Sequence, residues 1–141
     1  MRAMFLGATL SAPVVVKGRP RTMFVMFEAA DIVSVDLAQV NTSRCRSFEK
    51  MFNNIVAPTI TGLDTITLST ALRSNGFNQF ISDSIPTADY DAFLQRLSDE
   101  CDAKGITGIE LGMGTATYTN TAAHDNLVNT HGWVITDGGP A

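Results

Sequence analysis

Apolar residues in this chain fall into short runs separated by polar residues and by glycine, proline and asparagine. Short apolar runs bounded by such turn-forming residues are typical of β-strands. We predict strands over residues 14–16, 23–27, 32–37, 65–68, 109–111 and 133–135. Three of these strands share one frame, in which two apolar residues flank a polar one: Val35-x-Leu37, Ile66-x-Leu68 and Ile109-x-Leu111.

This recurring frame predicts that the strands stack side by side, because each strand needs a neighbour to bury its apolar face. Strands of one sheet that are joined through helices are connected by right-handed crossovers, so the sheet should be parallel. The predicted fold class is therefore α/β: a small solenoid of short parallel strands alternating with helices, preceded by a β-hairpin.

The hairpin is expected from the first two apolar runs, over residues 14–16 and 23–27. The turn-forming residues Gly18-Arg19-Pro20-Arg21 lie between them. Its tip would carry Lys17, Arg19 and Arg21, which are candidate contacts for a phosphate group or for an acidic protein surface. The alternative is that these three side chains are simply solvated.

Helical periodicity is clearest over residues 88–104. The apolar side chains there follow the i, i+3, i+4, i+7 and i+11 pattern of one helix face: Tyr90, Phe93, Leu94, Leu97 and Cys101. Thr87 is the predicted N-cap, and Gly105 is the predicted end. Weaker patterns predict further helices over residues 41–53 and 121–131.

Composition places the chain among single-domain globular proteins. It has 141 residues, of which 45% are apolar and 17% are charged, and its formal net charge is −4. An acidic balance argues against a nucleic-acid-binding protein. No apolar run reaches the roughly 18–20 residues that span a bilayer. The two cysteines, Cys45 and Cys101, are too few for a disulfide scaffold, and we expect buried free thiols.

Charge is unevenly distributed along the chain. Residues 1–50 contain seven basic and four acidic groups, whereas residues 51–141 contain three basic and ten acidic groups. Such a bipolar chain can dock head to tail or lie on a neighbour of complementary charge. The alternative is that solvated charges have segregated without functional consequence.

No pattern in the sequence indicates catalysis, a cofactor or a metal site. His124 and His131 lie seven residues apart, whereas zinc-binding pairs on a helix prefer i, i+4. Asp89 and Asp91 suit the positive end of a helix dipole better than an acid–base pair. The glycine-rich stretch after residue 111 is not followed by the lysine of a phosphate-binding loop. We therefore predict a non-enzymatic protein.

One internal stretch resembles the repeat of irregular leucine-rich-repeat surface proteins of bacteria and phages. It comprises Ser34-Val-Asp-Leu37, then Asn41-Thr-Ser43, then Phe48-Glu-Lys-Met-Phe-Asn53. In that family a strand ending in Asp-Leu-Ser is followed by Asp-Thr-Ser and then by Met-Phe with a polar residue. Ala38 stands here where the family has the first serine, so the match is partial.

Residues 87–139 resemble the terminal cap of leucine-rich-repeat virion proteins of tailed bacteriophages. The more specific part is the ending Gly132-Trp-Val-Ile-Thr-Asp-Gly-Gly139. The resemblance covers about 100 residues from Ile32 onward, and it implies that Trp133, Asp137, Gly138 and Gly139 form a structural cap. It also implies that the predicted solenoid is of leucine-rich-repeat type.

The function that this resemblance implies is structural: a virion protein that decorates or links the capsid, or that forms part of a head fibre, neck or tail. Its partners would be major capsid or tail proteins and further copies of itself, for which a trimer is one arrangement; no nucleic acid, membrane or cofactor is expected. Residues 1–30 would be an anchoring or oligomerising segment, and residues 31–141 the solenoid with its cap. The alternative is a bacterial surface or secreted adhesion module.

Overall fold

A computed structural model of the chain describes residues 4–55 and 59–141. This part of the chain contains the following strands: β1 (Thr9–Leu10), β2 (Val14–Val15), β3 (Asp31–Ile32), β4 (Ser34–Asp36), β5 (Thr59–Thr61), β6 (Phe77–Ile81), β7 (Glu110–Met113) and β8 (Val134–Thr136). It also contains two α-helices, α1 (Thr87–Lys104) and α2 (Thr121–Asp125). A 3-10 turn at Leu63–Thr65 and a π-helical turn at Asn126–Thr130 complete the regular structure described.

Every strand pair in the described residues is parallel. β1 pairs with β3, β4 lies between β2 and β5, and β7 lies between β6 and β8. The structure is thus a mixed α/β fold with parallel strands and few helices, and none of the described sheets closes into a barrel. This confirms the predicted fold class at that level.

The strands do not pair through the apolar frame that the sequences around Val35, Ile66 and Ile109 share. Val35 in β4 pairs with Ile60 in β5, and Leu111 in β7 pairs with both Phe77 and Ile135. The strand predicted over residues 65–68 is wrong, because the strand in this region is β5 and Ile66 follows the 3-10 turn instead. Ile66 is nevertheless buried, so it is apolar because it packs in the core and not because it lies in a strand.

The predicted β-hairpin does not form. β2 pairs in parallel with β4, and residues 23–27 make a series of turns rather than a strand. Their backbone amides donate to a later part of the chain: the Met23 amide donates to the Ser47 carbonyl at 2.8 Å, and the Phe27 amide to the Met51 carbonyl at 2.9 Å. The apolar run is buried by this stacking, so it needs no antiparallel partner.

The helix predicted over residues 41–53 is also absent. Here the Phe48, Lys50 and Phe52 amides donate to carbonyls 28 residues further along, at distances of 2.6, 3.0 and 2.8 Å. Lys50 and Asn54 have φ of 54°, in the left-handed region that an α-helix does not visit. The near-helical spacing of the apolar side chains therefore comes from successive tight turns.

Three pieces of chain lie on top of one another through these bonds. We call residues 21–29, 46–54 and 73–81 the stacked segments. Residues that lie on one another in the three segments share the same conformation: Val25, Lys50 and Gln79 all have positive φ, at 54°, 54° and 49°. Gln79 comes two residues later in its segment, because the third segment has two extra residues after Arg73. The backbone of each segment therefore serves as the template for the next.

Aromatic rings form the interior of this stack. The Phe5 ring lies parallel to that of Phe27 at a centroid distance of 5.2 Å, and Phe27 stacks on Phe52 at 5.5 Å. In a second column, Phe48 stacks on Phe77 at 4.6 Å. Offset parallel rings at such distances add to the stabilisation that comes from burying their area. The stack thus has an aromatic core as well as a backbone ladder.

Residues 1–30, predicted as a separate anchoring or oligomerising segment, share the core of the rest. Residues 1–3 lie outside the described residues, but Met23, Met26 and Phe27 belong to the same buried cluster as Leu111 and Trp133. The boundary placed after residue 30 therefore does not coincide with a gap in the packing. An anchoring role for this segment stays a prediction.

Helix α1 confirms the helix predicted over residues 88–104. All five residues of its predicted apolar stripe are fully buried. It ends at Gly105, which has φ of 65° and whose amide donates to the Cys101 carbonyl at 2.8 Å. Thr87 is its first residue rather than its N-cap, and its hydroxyl contacts that of Thr117 at 3.1 Å.

The remaining C-terminal elements follow the prediction with shifted ends. The helix expected over residues 121–131 is α-helical only as far as Asp125, after which the chain continues as the π-helical turn. Strands β7 and β8 each begin one residue later than predicted. Within the described residues, no helix is long and apolar enough to cross a bilayer.

A buried carboxylate ties α1 to the chain before it. Glu100 accepts a hydrogen bond from the Leu68 amide at 2.8 Å, pairs with Arg96 at 3.1 Å and contacts the Lys104 ammonium. Burial alone would raise the pKa of Glu100, but the bonds from Lys104 and Leu68 outweigh it and hold the pKa below its ordinary value of 4.5. The carboxylate therefore stabilises the fold in its charged form.

Replacing Lys50 by glycine distinguishes the observed turn from the predicted helix. Since glycine adopts positive φ without steric cost, we expect Lys50→Gly to stabilise the protein by up to about 1 kcal/mol. In a helix the same change would destabilise by about 1 kcal/mol. Urea unfolding of the variant and the unaltered protein measures the sign, and a loss of stability would contradict the turn.

Removing the charge of Glu100 gives a pH-dependent loss of stability. We expect Glu100→Gln to cost about 2 kcal/mol at pH 7, because a charged hydrogen-bond acceptor is lost from a buried site. A lowered folded-state pKa stabilises above the unfolded pKa and ceases to do so as the pH falls, so the difference should shrink below pH 4.5. Urea unfolding at pH 7 and pH 3.5 measures it. The exposed neighbour Asp99, changed to asparagine, is the control; a difference that does not shrink would refute the assignment.

Candidate functional site

The stacked segments place three arginines in one row. Arg21, Arg46 and Arg73 stand at the start of the three segments, and their backbones are bonded directly to one another. The Arg46 amide donates to the Arg21 carbonyl at 2.9 Å, and the Arg73 amide donates to the Arg46 carbonyl at 3.0 Å. All three residues are exposed. We call this row the arginine ladder.

The ladder lines a surface groove of about 510 Å³. Its other lining residues come from the first two stacked segments: Thr22, Phe24, Ser47 and Glu49. Next to it lies a smaller hollow of about 240 Å³, which is lined by Arg21, Arg44 and Arg46 together with Ser43 and Ser69. Four arginines therefore border two adjoining depressions on one side of the protein.

The ladder arginines make no salt bridge within the described residues. The ion pairs there lie between residues 96 and 137. The single carboxylate that lines the groove, Glu49, instead accepts a hydrogen bond from the side-chain amide of Asn75 at 2.9 Å. The groove is thus a concentration of positive charge on a protein with a net charge of −4.

The structure brings only one of the three predicted partner contacts to this groove. Arg21 lines it, whereas Lys17 and Arg19 are exposed outside it. Sequence reasoning missed Arg46 and Arg73, because the segments that carry them were not recognised as equivalent. The signal was present in the spacing, since the ladder arginines are 25 and 27 residues apart.

A second depression, of about 460 Å³, lies over the sheet formed by β6, β7 and β8. Its lining is mostly uncharged: Asn53, Asn78, Gln79, Ser82, Gly112 and Val134 contribute to it, with Glu110 as its acid. Gly112 approaches the backbone of Gln79 so closely that a Cβ atom would lie 2.7 Å from its nitrogen. The glycine-rich stretch after β7 thus serves close strand packing.

The residues predicted as a structural cap do not gather at one point: Asp137 contacts the first turn of α1, whereas Trp133 packs on Phe77 of β6. Trp133 is 2% exposed, and its ring stacks on Phe77 at 6.3 Å. Asp137 accepts hydrogen bonds from the Tyr90 hydroxyl at 2.6 Å and from the Gly139 amide at 2.9 Å. Burial and this carboxylate raise the pKa of Tyr90, so its hydroxyl stays protonated. Gly138 packs against the backbone of Thr115.

The histidines and the helix acids have separate partners. His131 contacts the Asp102 carboxylate at 2.8 Å, which lowers the pKa of Asp102. His124 stacks on the Tyr118 ring at 4.2 Å. Asp91 does not pair with Asp89; it accepts hydrogen bonds from the Thr119 and Asn120 amides. Among residues 4–55 and 59–141, no three His, Cys, Asp or Glu side chains gather in a way that could hold a metal ion.

Both thiols are buried and free, as predicted. Burial raises the pKa of Cys45 to about 11 and that of Cys101 to about 12. A thiolate is the reactive form of cysteine, so neither residue is suited to act as a nucleophile near neutral pH. The arginine-lined groove is the candidate functional site, because three exposed guanidinium groups without an acidic partner among the described residues have the chemistry that suits an anion.

Comparison of the chain with protein-family models, with curated proteins and with solved structures finds no match in any of the three.

Proposed function

We propose that the chain is a non-enzymatic structural and adhesive protein whose fold is a small leucine-rich-repeat-like solenoid. The observation that carries this proposal is the stacking of equivalent segments, each of which bonds its backbone to the next. A stack of this kind presents equivalent side chains in rows on its surface, which suits it to binding extended partners. The arginine ladder is such a row.

The context we propose is a bacteriophage virion, as a capsid decoration or as part of a head fibre, neck or tail. Support comes from the resemblance of residues 87–139 to the cap of phage leucine-rich-repeat proteins. Trp133 and Asp137 make the buried contacts that a cap requires. Other virion proteins and further copies of the chain would be its partners.

The second candidate is an adhesion module on a bacterial surface, because the same type of repeat resembles bacterial surface proteins. It would use the same rows of side chains, with a cell or matrix component as partner. The two candidates differ in location rather than in binding chemistry, so a direct measurement of location separates them.

An anchoring role for the N-terminal segment, through exposed Lys17, Arg19 and Arg21, is part of the proposal. Deleting residues 1–30 does not test it, because the deletion would remove Phe27 from its stack on Phe52 and open the core. Burial of that area contributes several kcal/mol, so the truncated chain is expected to unfold. Surface substitutions such as Lys17→Glu with Arg19→Glu leave the core intact and are the appropriate variants.

The test of location is quantitative mass spectrometry of purified phage particles from the organism that encodes the chain. Copies of this chain are counted relative to the major capsid protein. We expect a fixed ratio, with hundreds of copies for a capsid decoration and from three to a few dozen for a fibre, neck or tail component. The soluble and cell-envelope fractions of the same culture are the controls. Absence from particles together with enrichment in the envelope would reject the virion proposal in favour of the adhesion module.

A further inference from the structure

The arginine ladder has a regular rise along the stack. Neighbouring parallel segments are about 4.8 Å apart, so the three guanidinium groups project from backbones that follow one another at about that interval. One small anion can engage one or two of these groups. A row of three, continued sideways by Arg44, fits a linear ligand with anionic groups at regular intervals.

Guanidinium groups bind oxyanions through two parallel N–H···O bonds, which gives them geometric as well as electrostatic selectivity. In this groove they have no acidic partner within 4.0 Å in the described part of the chain, and Glu49 is held by Asn75. In the adjoining hollow, the Ser43 hydroxyl donates to the Asn41 side chain at 2.6 Å, so its oxygen is left to accept from a ligand hydroxyl, whereas Ser69 is buried. Such a mixture of cations and a hydroxyl acceptor suits a ligand that carries both acidic groups and hydroxyls.

Nucleic acid fits the groove poorly. Single strands are bound by aromatic platforms on which bases stack, next to cationic side chains. The aromatic residue that lines this groove, Phe24, is half-buried. A duplex requires a broad basic surface, whereas this protein carries a net charge of −4.

An acidic peptide fits it poorly as well. Arginine clusters do bind acidic peptide motifs, but the addition of a strand to an unpaired sheet edge, which would hold an extended peptide in register, is closed here. Here the Arg46 and Arg73 amides are already bonded to the preceding segments. In an extended peptide, side chains on one face repeat at about 6.7 Å, which is out of step with a ladder at about 4.8 Å.

We propose that the arginine-lined groove formed by Arg21, Arg46 and Arg73 binds a linear acidic polysaccharide that runs along the stack. The inference goes beyond the proposed virion role and does not depend on it, because a groove of this chemistry would bind the same ligand on a phage particle or on a cell surface.

The experiment measures binding of the full chain to dextran sulfate by isothermal titration calorimetry, with uncharged dextran as the ligand control. We expect Arg46→Gln with Arg73→Gln to weaken binding by roughly 5- to 30-fold, since two exposed ion pairs are lost. Arg46→Lys should weaken it less, because the charge remains and only the planar fork is removed. All these side chains are exposed, and thermal unfolding checks that the variants stay folded.

The matched control variant is Thr107→Glu with Asn129→Asp. Both positions are exposed in the C-terminal half, and the pair changes the net charge by the same amount as the two glutamines do. We expect this control to retain the binding of the unaltered protein within about twofold, because screening weakens distant charges. An equal loss in both double variants would reduce the effect to net charge and overturn the proposal. The proposal would also be overturned if the protein did not bind dextran sulfate, or if it bound oligothymidylate or polyglutamate as tightly as dextran sulfate.

Discussion

The register of backbone hydrogen bonds between the stacked segments is the constraint on which the rest of the structure depends. The Val25 and Phe27 amides donate to the second segment, and the Lys50 and Phe52 amides donate to the third. Val25 and Lys50 are both donors in this ladder and residues of left-handed φ, so each segment follows the same turns as its neighbour. That repetition superimposes the phenylalanine rings and closes the aromatic core. A shift of one residue would break both the ladder and the ring stacking.

The same register creates the surface chemistry. Side chains at equivalent positions of a stack lie directly above one another, so a residue type that recurs with the repeat becomes a row. Arg21, Arg46 and Arg73 form such a row, while the acidic residues are concentrated in the C-terminal half. The uneven charge distribution along the sequence is thus also uneven in the structure. Basic residues line a groove on the stacked segments, and acidic residues with bonded partners lie around α1. That arrangement supports the binding role proposed above.

Sequence patterns predicted what depends on side-chain period alone. Helix α1 was found because its apolar stripe and its terminal Gly105 both obey helical rules. The stacked segments were not predicted from the sequence, because their tight turns space apolar residues much as a helix or a strand does. The dipeptide Met-Phe recurs at positions 26 and 51, in the first two stacked segments, but the third segment lacks it, so recognising the repeat requires comparing the segments with one another. Without that alignment, Arg46 and Arg73 look like scattered surface charges.

The most direct test of the stacked arrangement is an NMR measurement of scalar couplings across backbone hydrogen bonds, which identifies the acceptor of a given amide. The account predicts that the Phe52 amide is coupled to the Phe80 carbonyl, 28 residues away, and the Phe27 amide to the Met51 carbonyl. A coupling from the Phe52 amide to the carbonyl of Phe48, four residues earlier, would mean that this stretch is helical. That result would contradict the stack, and with it the arginine ladder and the groove.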